Sequence, residues 1–171
     1  DSGLVERSEV LALAERWLEA SCPKWLMGWR DICRATDERT LIASVLPLAG
    51  VGNKIPLILA DPRRSGSMTA AFLGNLSALV FDFVVRQKVG GVTLNYFYMK
   101  QFPVLPPESY TESDLAFIVP RVLELTYTAH DLRSWAEDLG YTGTPFPWNP
   151  ERRAQLRAEL DAYFSRLYGI T

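Results

Sequence analysis

The spacing of the apolar residues changes along this chain, and no other feature constrains the fold as strongly. Before Pro23 the apolar residues follow the period of an amphipathic helix. Between Trp25 and Ala60 they form short aliphatic and β-branched runs separated by polar turns, a pattern typical of strands. The helical period returns at Ser67, and after Pro107 it is the only pattern that remains. Alternation of both patterns within 171 residues predicts an α+β fold.

Three strands are predicted in the first half of the chain. Residues 25–34 and 39–48 are joined by a polar turn and predict an antiparallel pair. A short third strand is predicted over residues 55–60. Its Pro56 has no N–H for a ladder hydrogen bond, which favours a position at the edge of the sheet.

A long central helix is predicted over residues 67–89. Ser67 is its expected N-cap, and Gly90-Gly91 is expected to end it in the left-handed conformation that glycine adopts without strain. Residues 93–101 combine polar and aromatic side chains and are followed by Pro103, which predicts a further strand. The aromatic side chains of this half are expected in the core: Trp25, Trp29, Phe72, Phe81 and Phe83.

These elements predict a small mixed or antiparallel sheet packed on a long central helix, followed by a helical C-terminal extension. We divide the chain into an α+β core over residues 1–107, which begins with a helix, and an extension over residues 108–171. The extension contains a helix over 112–128, a short helix near 130–139 and a last helix capped by Asn149.

The charges are distributed unevenly. The whole chain has 18 basic and 20 acidic residues, a net charge of −2. Residues 24–101 hold ten of the basic but only five of the acidic residues, a net +5 that leaves −7 for the rest. Such asymmetry is typical of a surface that binds a polyanion, and a chance cluster of solvated charges gives the same count.

The sequence contains no motif for catalysis or metal binding. His130 is the only histidine, and it has no neighbouring nucleophile motif. Cys22 and Cys33 lie in different predicted elements and suit packing better than redox chemistry. The Gly50-Val51-Gly52 turn lacks the third glycine and the helix start of a phosphate-binding loop.

The chain also lacks the patterns of membrane and secreted proteins. No stretch approaches the roughly 18 to 20 consecutive apolar residues of a membrane span. The first ten residues are not a signal peptide, so we expect a cytoplasmic protein. Because the sequence begins with Asp1 rather than Met, we expect it to be a processed or excised part of a longer protein.

Two long segments resemble a known enzyme family. The run RDICRATDERTLIASVLPLAGVGNKIPLI, which begins at Arg30, and the run LGNLSALVFDFVVRQKVGGVTLNYFYMKQFPVLPP, which ends at Pro107, are similar to the C-terminal part of adenine-specific DNA methyltransferases. These are the type IIG-like (Eco57I-like) enzymes of restriction-modification and phage-defence systems. The ending ERRAQLRAELDAYFSRLYGI resembles the helix that follows their recognition region.

The resemblance implies a target-recognition region that binds double-stranded DNA. In that family an upstream domain binds S-adenosylmethionine and carries the Asn/Asp-Pro-Pro-Tyr/Phe motif that positions the flipped adenine. Neither motif occurs in this sequence. The resemblance therefore implies no cofactor and no enzymatic activity for this fragment alone. It implies a parent adenine-N6 methyltransferase, with or without a fused endonuclease, whose upstream domain contacts this region.

Two groups of residues are the predicted DNA-binding residues. Lys, Arg and backbone amides bind phosphates, whereas Arg, Asn and Gln read base edges. The first group follows the end of the central helix: Arg86, Gln87, Lys88, Asn95, Lys100 and Gln101. The second group spans the first two strands and the next turn: Arg30, Arg39, Thr40 and Lys54. No residue is predicted to be catalytic or to bind a metal.

Other interpretations of these residues remain open. Arg86 and Lys88 also suit the negative end of a helix dipole, and Arg39 could instead pair with Asp31 or Asp37. The main alternative function is a scaffold that docks the catalytic domain or a partner subunit without reading bases. DNA binding predicts basic residues on one concave face, whereas docking predicts scattered charges and a large apolar patch. The acidic C-terminal helices are expected to face away from DNA.

Overall fold

A computed structural model describes residues 9–13, 15–16, 24–59 and 65–170 of the chain. Residues 9–13 and 15–16 are helical, in agreement with the predicted first helix, and the rest of that predicted helix lies outside the described residues.

The sheet has three antiparallel strands, which confirms the predicted α+β fold. They are β1 (Trp25–Trp29), β2 (Ala43–Pro47) and β3 (Leu57–Ile58), in the order β2-β1-β3. All three are shorter than predicted. Gly28 in the central strand allows the third strand to approach, because a Cβ at this position would lie 2.7 Å from the Pro56 carbonyl oxygen.

The predicted central helix over residues 67–89 is two helices. They are α1 (Gly66–Ser77), capped by Ser65 rather than Ser67, and α2 (Leu79–Lys88), and they meet at an extended Ala78 with a bend of 59°. The break shifts the buried face of the second helix. Phe81 is buried as expected, but Phe83 is 62% exposed, so its predicted place in the core is wrong.

The predicted strand over residues 93–101 is also wrong. Thr93 forms a single bridge with Ile32, and a short helix, α3 (Tyr96–Met99), follows. Asn95 starts this helix, because its side-chain oxygen accepts hydrogen bonds from the amides of Phe97 and Tyr98. The preceding Gly90 and Gly91 do not have the predicted positive φ, since α2 ends at Lys88 with Val89 as its C-cap.

The predicted helices of the C-terminal part are confirmed. They are α4 (Glu112–Thr126), α5 (Arg133–Asp138) and α6 (Pro150–Leu167), with 3-10 turns at Pro107–Ser109 and His130–Leu132. Thr111 and Asp114 form a reciprocal capping box on α4, and Asn149 caps α6 through the amide of Arg152.

The hydrophobic core extends across the predicted division at residue 107. Met27 and Val45 of the sheet share one cluster with Leu73 of α1 and with Ile118 and Phe164 of the C-terminal helices. A second cluster fills the other end of the molecule: Trp29, Cys33, Leu41, Leu76, Phe81, Val85, Val89, Leu94 and Phe102. The C-terminal helices therefore share one hydrophobic core with the sheet and α1.

Within the described ranges no single helix is long and apolar enough to cross a membrane, and α1 and α2 reach the required length and apolarity only when joined across their bend.

Candidate nucleic-acid interface

Arg86, in the first predicted DNA-binding group, is bound within the chain. Its Nε donates to a carboxylate oxygen of Asp82 at 2.8 Å, and Asp82 is only 1% exposed. Its terminal nitrogens donate to the backbone oxygens of Ala35, Asp37 and Glu38. Three hydrogen bonds thus tie the loop after β1 to α2. The guanidinium has little donor capacity left for a phosphate.

The other members of that group are exposed at the same end of the molecule. Backbone hydrogen bonds from Cys33 to Val92 (3.1 Å) and from Leu94 to Asp31 (2.7 Å) join the loop after α2 to the loop after β1. Among the described residues, no carboxylate lies within salt-bridge distance of Arg34, Lys88 or Lys100. We call the exposed cations and amides of this end the α2-end surface: Arg34, Gln87, Lys88, Asn95, Lys100 and Gln101.

Two amides of the α2-end surface also have structural roles. The Asn95 side-chain oxygen caps α3, and the Gln101 amide nitrogen donates to the Phe97 carbonyl at 2.9 Å. Both residues are exposed, and among the described residues no hydrogen bond uses the Asn95 amide nitrogen or the Gln101 side-chain oxygen. An amide with a spare donor or acceptor on an exposed surface can still contact a base edge.

The structure does not bring the second predicted group together as one surface. Arg30 pairs with Asp37 at 2.8 Å, and Lys54 pairs with Asp31 at 3.1 Å. Thr40 is fully buried, so it cannot contact DNA in this conformation. Arg39 does not pair with either carboxylate of the hairpin but with Asp161 of α6, at 3.0 Å.

Arg39 instead belongs to a cavity that the sequence did not predict. It lines a cavity of about 280 Å³ together with Arg153 and Arg157 of α6. Three further elements complete the wall, and we call this space the arginine cavity. Its other lining residues are Ile42, Ala43 and Ser44 at the β2 edge, Gly74, Ser77 and Ala78 around the end of α1, Leu125 and Thr126 of α4, and Leu160 of α6.

The arginines of the cavity differ in how they are held. Arg39 is neutralised by Asp161. Arg153 donates to the Leu125 carbonyl at 2.9 Å and stacks on Trp148, with its guanidinium carbon 3.8 Å from the ring centroid. Burial and the nearby Arg157 lower the pKa of Arg153. Within the described part of the chain, no carboxylate pairs with Arg153 or Arg157.

One sequence signal could have indicated this cavity. Arg153 and Arg157 are four residues apart, so they share one face of the last helix. The net charge of the C-terminal part is negative, so a charge count does not indicate a basic face there. Two of its acidic residues, Glu124 and Glu159, are paired with Arg152 and Arg121, which leaves Arg153 and Arg157 without these carboxylates as partners. The C-terminal helices therefore present a basic face at the cavity as well as acidic residues.

Apolar side chains are also exposed beside the α2-end surface and near β3. Ile32, Val92 and Phe97 are exposed at that end, with Phe97 at 70%. A separate groove of about 300 Å³ next to β3 is lined mainly by apolar side chains, among them Leu59 and Val104. These surfaces are the kind that the docking alternative predicts.

The described residues show no site for a metal, and comparisons add no relative. No group of three His, Cys, Asp or Glu side chains in the described ranges is placed to hold a metal ion. Comparison with protein-family models, with curated proteins and with solved structures gives no significant match.

Proposed function

We propose that this chain is the DNA-binding, target-recognition fragment of an S-adenosylmethionine-dependent adenine-N6 DNA methyltransferase of a restriction-modification system. The observation that supports the proposal is the composition of the α2-end surface. Three cations without a carboxylate partner among the described residues and three exposed amides come from separate segments to one end of the molecule. Cations that are not neutralised within the protein can replace the counterions of DNA phosphates.

The proposal divides the work between this chain and the rest of the parent enzyme. Lys88 and Lys100 bind backbone phosphates, and the side chains of Gln87 and Gln101 reach base edges from the same surface. S-adenosylmethionine and the adenine pocket belong to the upstream domain, whose motifs this sequence lacks. The chain then acts in the cytoplasm, and it transfers no methyl group by itself. A fused endonuclease in the parent is compatible with this role.

The test is a titration of a fluorescent duplex with the protein at several salt concentrations. We expect binding whose logarithm falls linearly with the logarithm of salt, with a slope corresponding to about three to six phosphates. The Lys88→Ala/Lys100→Ala variant should lower the magnitude of that slope by about two. Lys24→Ala/Arg133→Ala is the matched control, because it also removes two exposed cations, and neither belongs to the α2-end surface. The two lie close together, since Ser134 donates to the Lys24 carbonyl. Absence of binding at low salt would refute the proposal.

The exposed apolar side chains favour docking as a second candidate function. In this case Val92 and Phe97 bind the upstream methyltransferase domain, and Lys88 and Lys100 lie at the edge of that interface without binding DNA. A Phe97→Ser variant should then weaken the complex with that domain while Lys88→Ala/Lys100→Ala leaves it intact. Pull-down of the purified upstream domain, with both variants side by side, distinguishes this function from DNA binding.

A further inference from the structure

We propose that the arginine cavity is a binding site for a phosphate group, with Arg153 and Arg157 as the residues that bind it. The cavity lies between the β2 edge and helices α1, α4 and α6. It is separate from the α2-end surface, since none of the residues of that surface lines it.

The charge of the cavity is the first reason for the proposal. Arg39, Arg153 and Arg157 line it, and Asp161, which binds Arg39, is the carboxylate paired with this set in the described ranges. The set therefore carries a net charge of about +2, which matches a phosphate group. Like charges four residues apart on a helix repel each other, and a bound anion relieves that repulsion.

The orientation of the guanidiniums is the second reason. Arg153 is held by the Leu125 carbonyl and by stacking on Trp148, so one of its edges is fixed before a ligand arrives. Planar guanidiniums with fixed orientation bind phosphate oxygens through paired hydrogen bonds. The hydroxyls of Ser77 and Thr126 already donate to helix carbonyls at 2.8 and 2.7 Å, which leaves the arginines as the main side-chain donors.

The sheet contributes one more donor. In the β1–β2 register, the Arg30 amide donates to the Ile42 carbonyl, so this pair is hydrogen-bonded and the next residue, Ala43, directs its N–H away from β1. Ala43 lines the cavity at this outer edge of the sheet. A backbone amide next to two arginines completes a cradle for an anion.

The size and lining of the cavity indicate that the phosphate is part of a larger molecule. A volume of about 280 Å³ exceeds that of a single phosphate, and Ile42, Leu125 and Leu160 provide an apolar wall beside the arginines. Trp148, 68% exposed and stacked on Arg153 through one face, offers an aromatic surface at the same place. A sugar-phosphate fits this combination of charge and apolar surface.

Two sources supply a sugar-phosphate: the backbone of DNA and a free nucleotide. Assignment to the DNA backbone rests on the proposed function, whereas the phosphate site itself does not. In that case the cavity would be a second anchor, which contacts DNA away from the α2-end surface.

The test follows the Nε–Hε signals of Arg153 and Arg157 by nuclear magnetic resonance during titration with inorganic phosphate at constant ionic strength, with chloride as reference. We expect saturable shifts of these signals with phosphate alone. The Arg157→Gln variant should weaken phosphate binding by about tenfold, because it removes one charged hydrogen-bond donor. Arg152→Gln, on the same helix but paired with Glu124, is the matched control and should leave phosphate affinity unchanged.

A second variant protects the test against a change in folding. Ser44 is exposed on β2 and lines the cavity, so Ser44→Glu adds a carboxylate at the cavity edge without altering the core, and it should weaken the phosphate shifts. Shifts that do not saturate, or that persist unchanged in Arg157→Gln and Ser44→Glu, would overturn the site.

Two further titrations identify the source of the phosphate. If duplex DNA displaces phosphate from the cavity, the backbone is the source. If deoxyadenosine monophosphate displaces it and DNA does not bind the protein at all, the phosphate site stands and the proposed function fails. If DNA binds but Arg157→Gln changes neither DNA nor phosphate affinity, the proposed function stands and the site fails.

Discussion

Arg86 at the α2 end and Arg157 in the arginine cavity are held in opposite ways. Arg86 at the α2 end donates to one carboxylate and three carbonyls of its own chain. Arg157 in the cavity pairs with no carboxylate of the described residues. An arginine whose donors are filled stabilises the fold, whereas one whose donors are free is available to a ligand. Arg86 lies in the basic segment over residues 24–101 and Arg157 lies outside it, so membership of that segment does not indicate which arginine is available to a ligand.

The largest expected effect is the loss of stability in an Arg86→Ala variant. Asp82 would remain buried with only the Leu41 amide as a hydrogen-bond donor, and three backbone carbonyls would lose their partner. We expect the free energy of unfolding to fall by about 3 kcal/mol, measured by urea denaturation. Lys88→Ala, on the exposed side of the same helix, is the control and should change stability by less than about 0.5 kcal/mol.

The Arg86 result would break the comparison if it went the other way. A loss below about 1 kcal/mol, together with weaker DNA binding, would show that Arg86 acts on a ligand as the sequence predicted. Arg86 and Arg157 would then not differ in their role.

The next largest expected effect on stability is that of Asp114, whose carboxylate accepts hydrogen bonds from uncharged donors. Asp114 accepts hydrogen bonds from the Thr111 amide at 2.7 Å, the Thr111 hydroxyl at 2.6 Å and the Tyr163 hydroxyl at 2.6 Å. These bonds, from Thr111 first and then Tyr163, lower the pKa of Asp114. Because the folded pKa is depressed, Asp114 stabilises the protein above its unfolded pKa of about 4, and this contribution is lost as pH falls through the folded pKa.

An Asp114→Asn variant measures this contribution. We expect it to lower the free energy of unfolding by about 2 kcal/mol at pH 7, and the difference from the unmodified protein should disappear as pH falls through the folded pKa of Asp114. Glu112→Gln, in the same helical turn but exposed, is the matched control. A loss that is independent of pH would contradict a role for the charged carboxylate and would leave only the neutral cap.

Elements that are determined by interactions between residues close in sequence were predicted correctly, and elements that depend on distant residues were not. Thr111 and Asp114 lie three residues apart, and Asn149 caps the helix that begins with the next residue, so local signals sufficed for α4 and α6. The break at Ala78 has no such signal, since alanine favours helix. The Leu79 amide at the start of α2 is bound by Asp161, 82 residues away, which the sequence could not show.

The candidate sites show the same limit. Asn95 caps α3 by bonding amides only two and three residues away, but the sequence analysis assigned it to a strand. The sequence shows that Arg153 and Arg157 are four residues apart and so lie on one face of the last helix. Their approach to Arg39 was not, because the cavity forms only when the C-terminal helices pack against the sheet and α1.

Asp161 connects stability to the arginine cavity and gives the smallest expected effect on folding. One carboxylate oxygen accepts the Leu79 amide at 2.6 Å, and the other accepts from Arg39 at 3.0 Å. Asp161→Asn keeps an oxygen for the amide and removes the charge, so we expect a loss of only about 1 kcal/mol. Phosphate affinity should change in the opposite direction and increase about two- to fivefold, because Arg39 loses its counter-ion. Measurement of both quantities on one variant separates a structural carboxylate from one that limits the charge of the cavity. A parallel decrease in stability and affinity would mean that Asp161 acts on phosphate only by holding α2 in place.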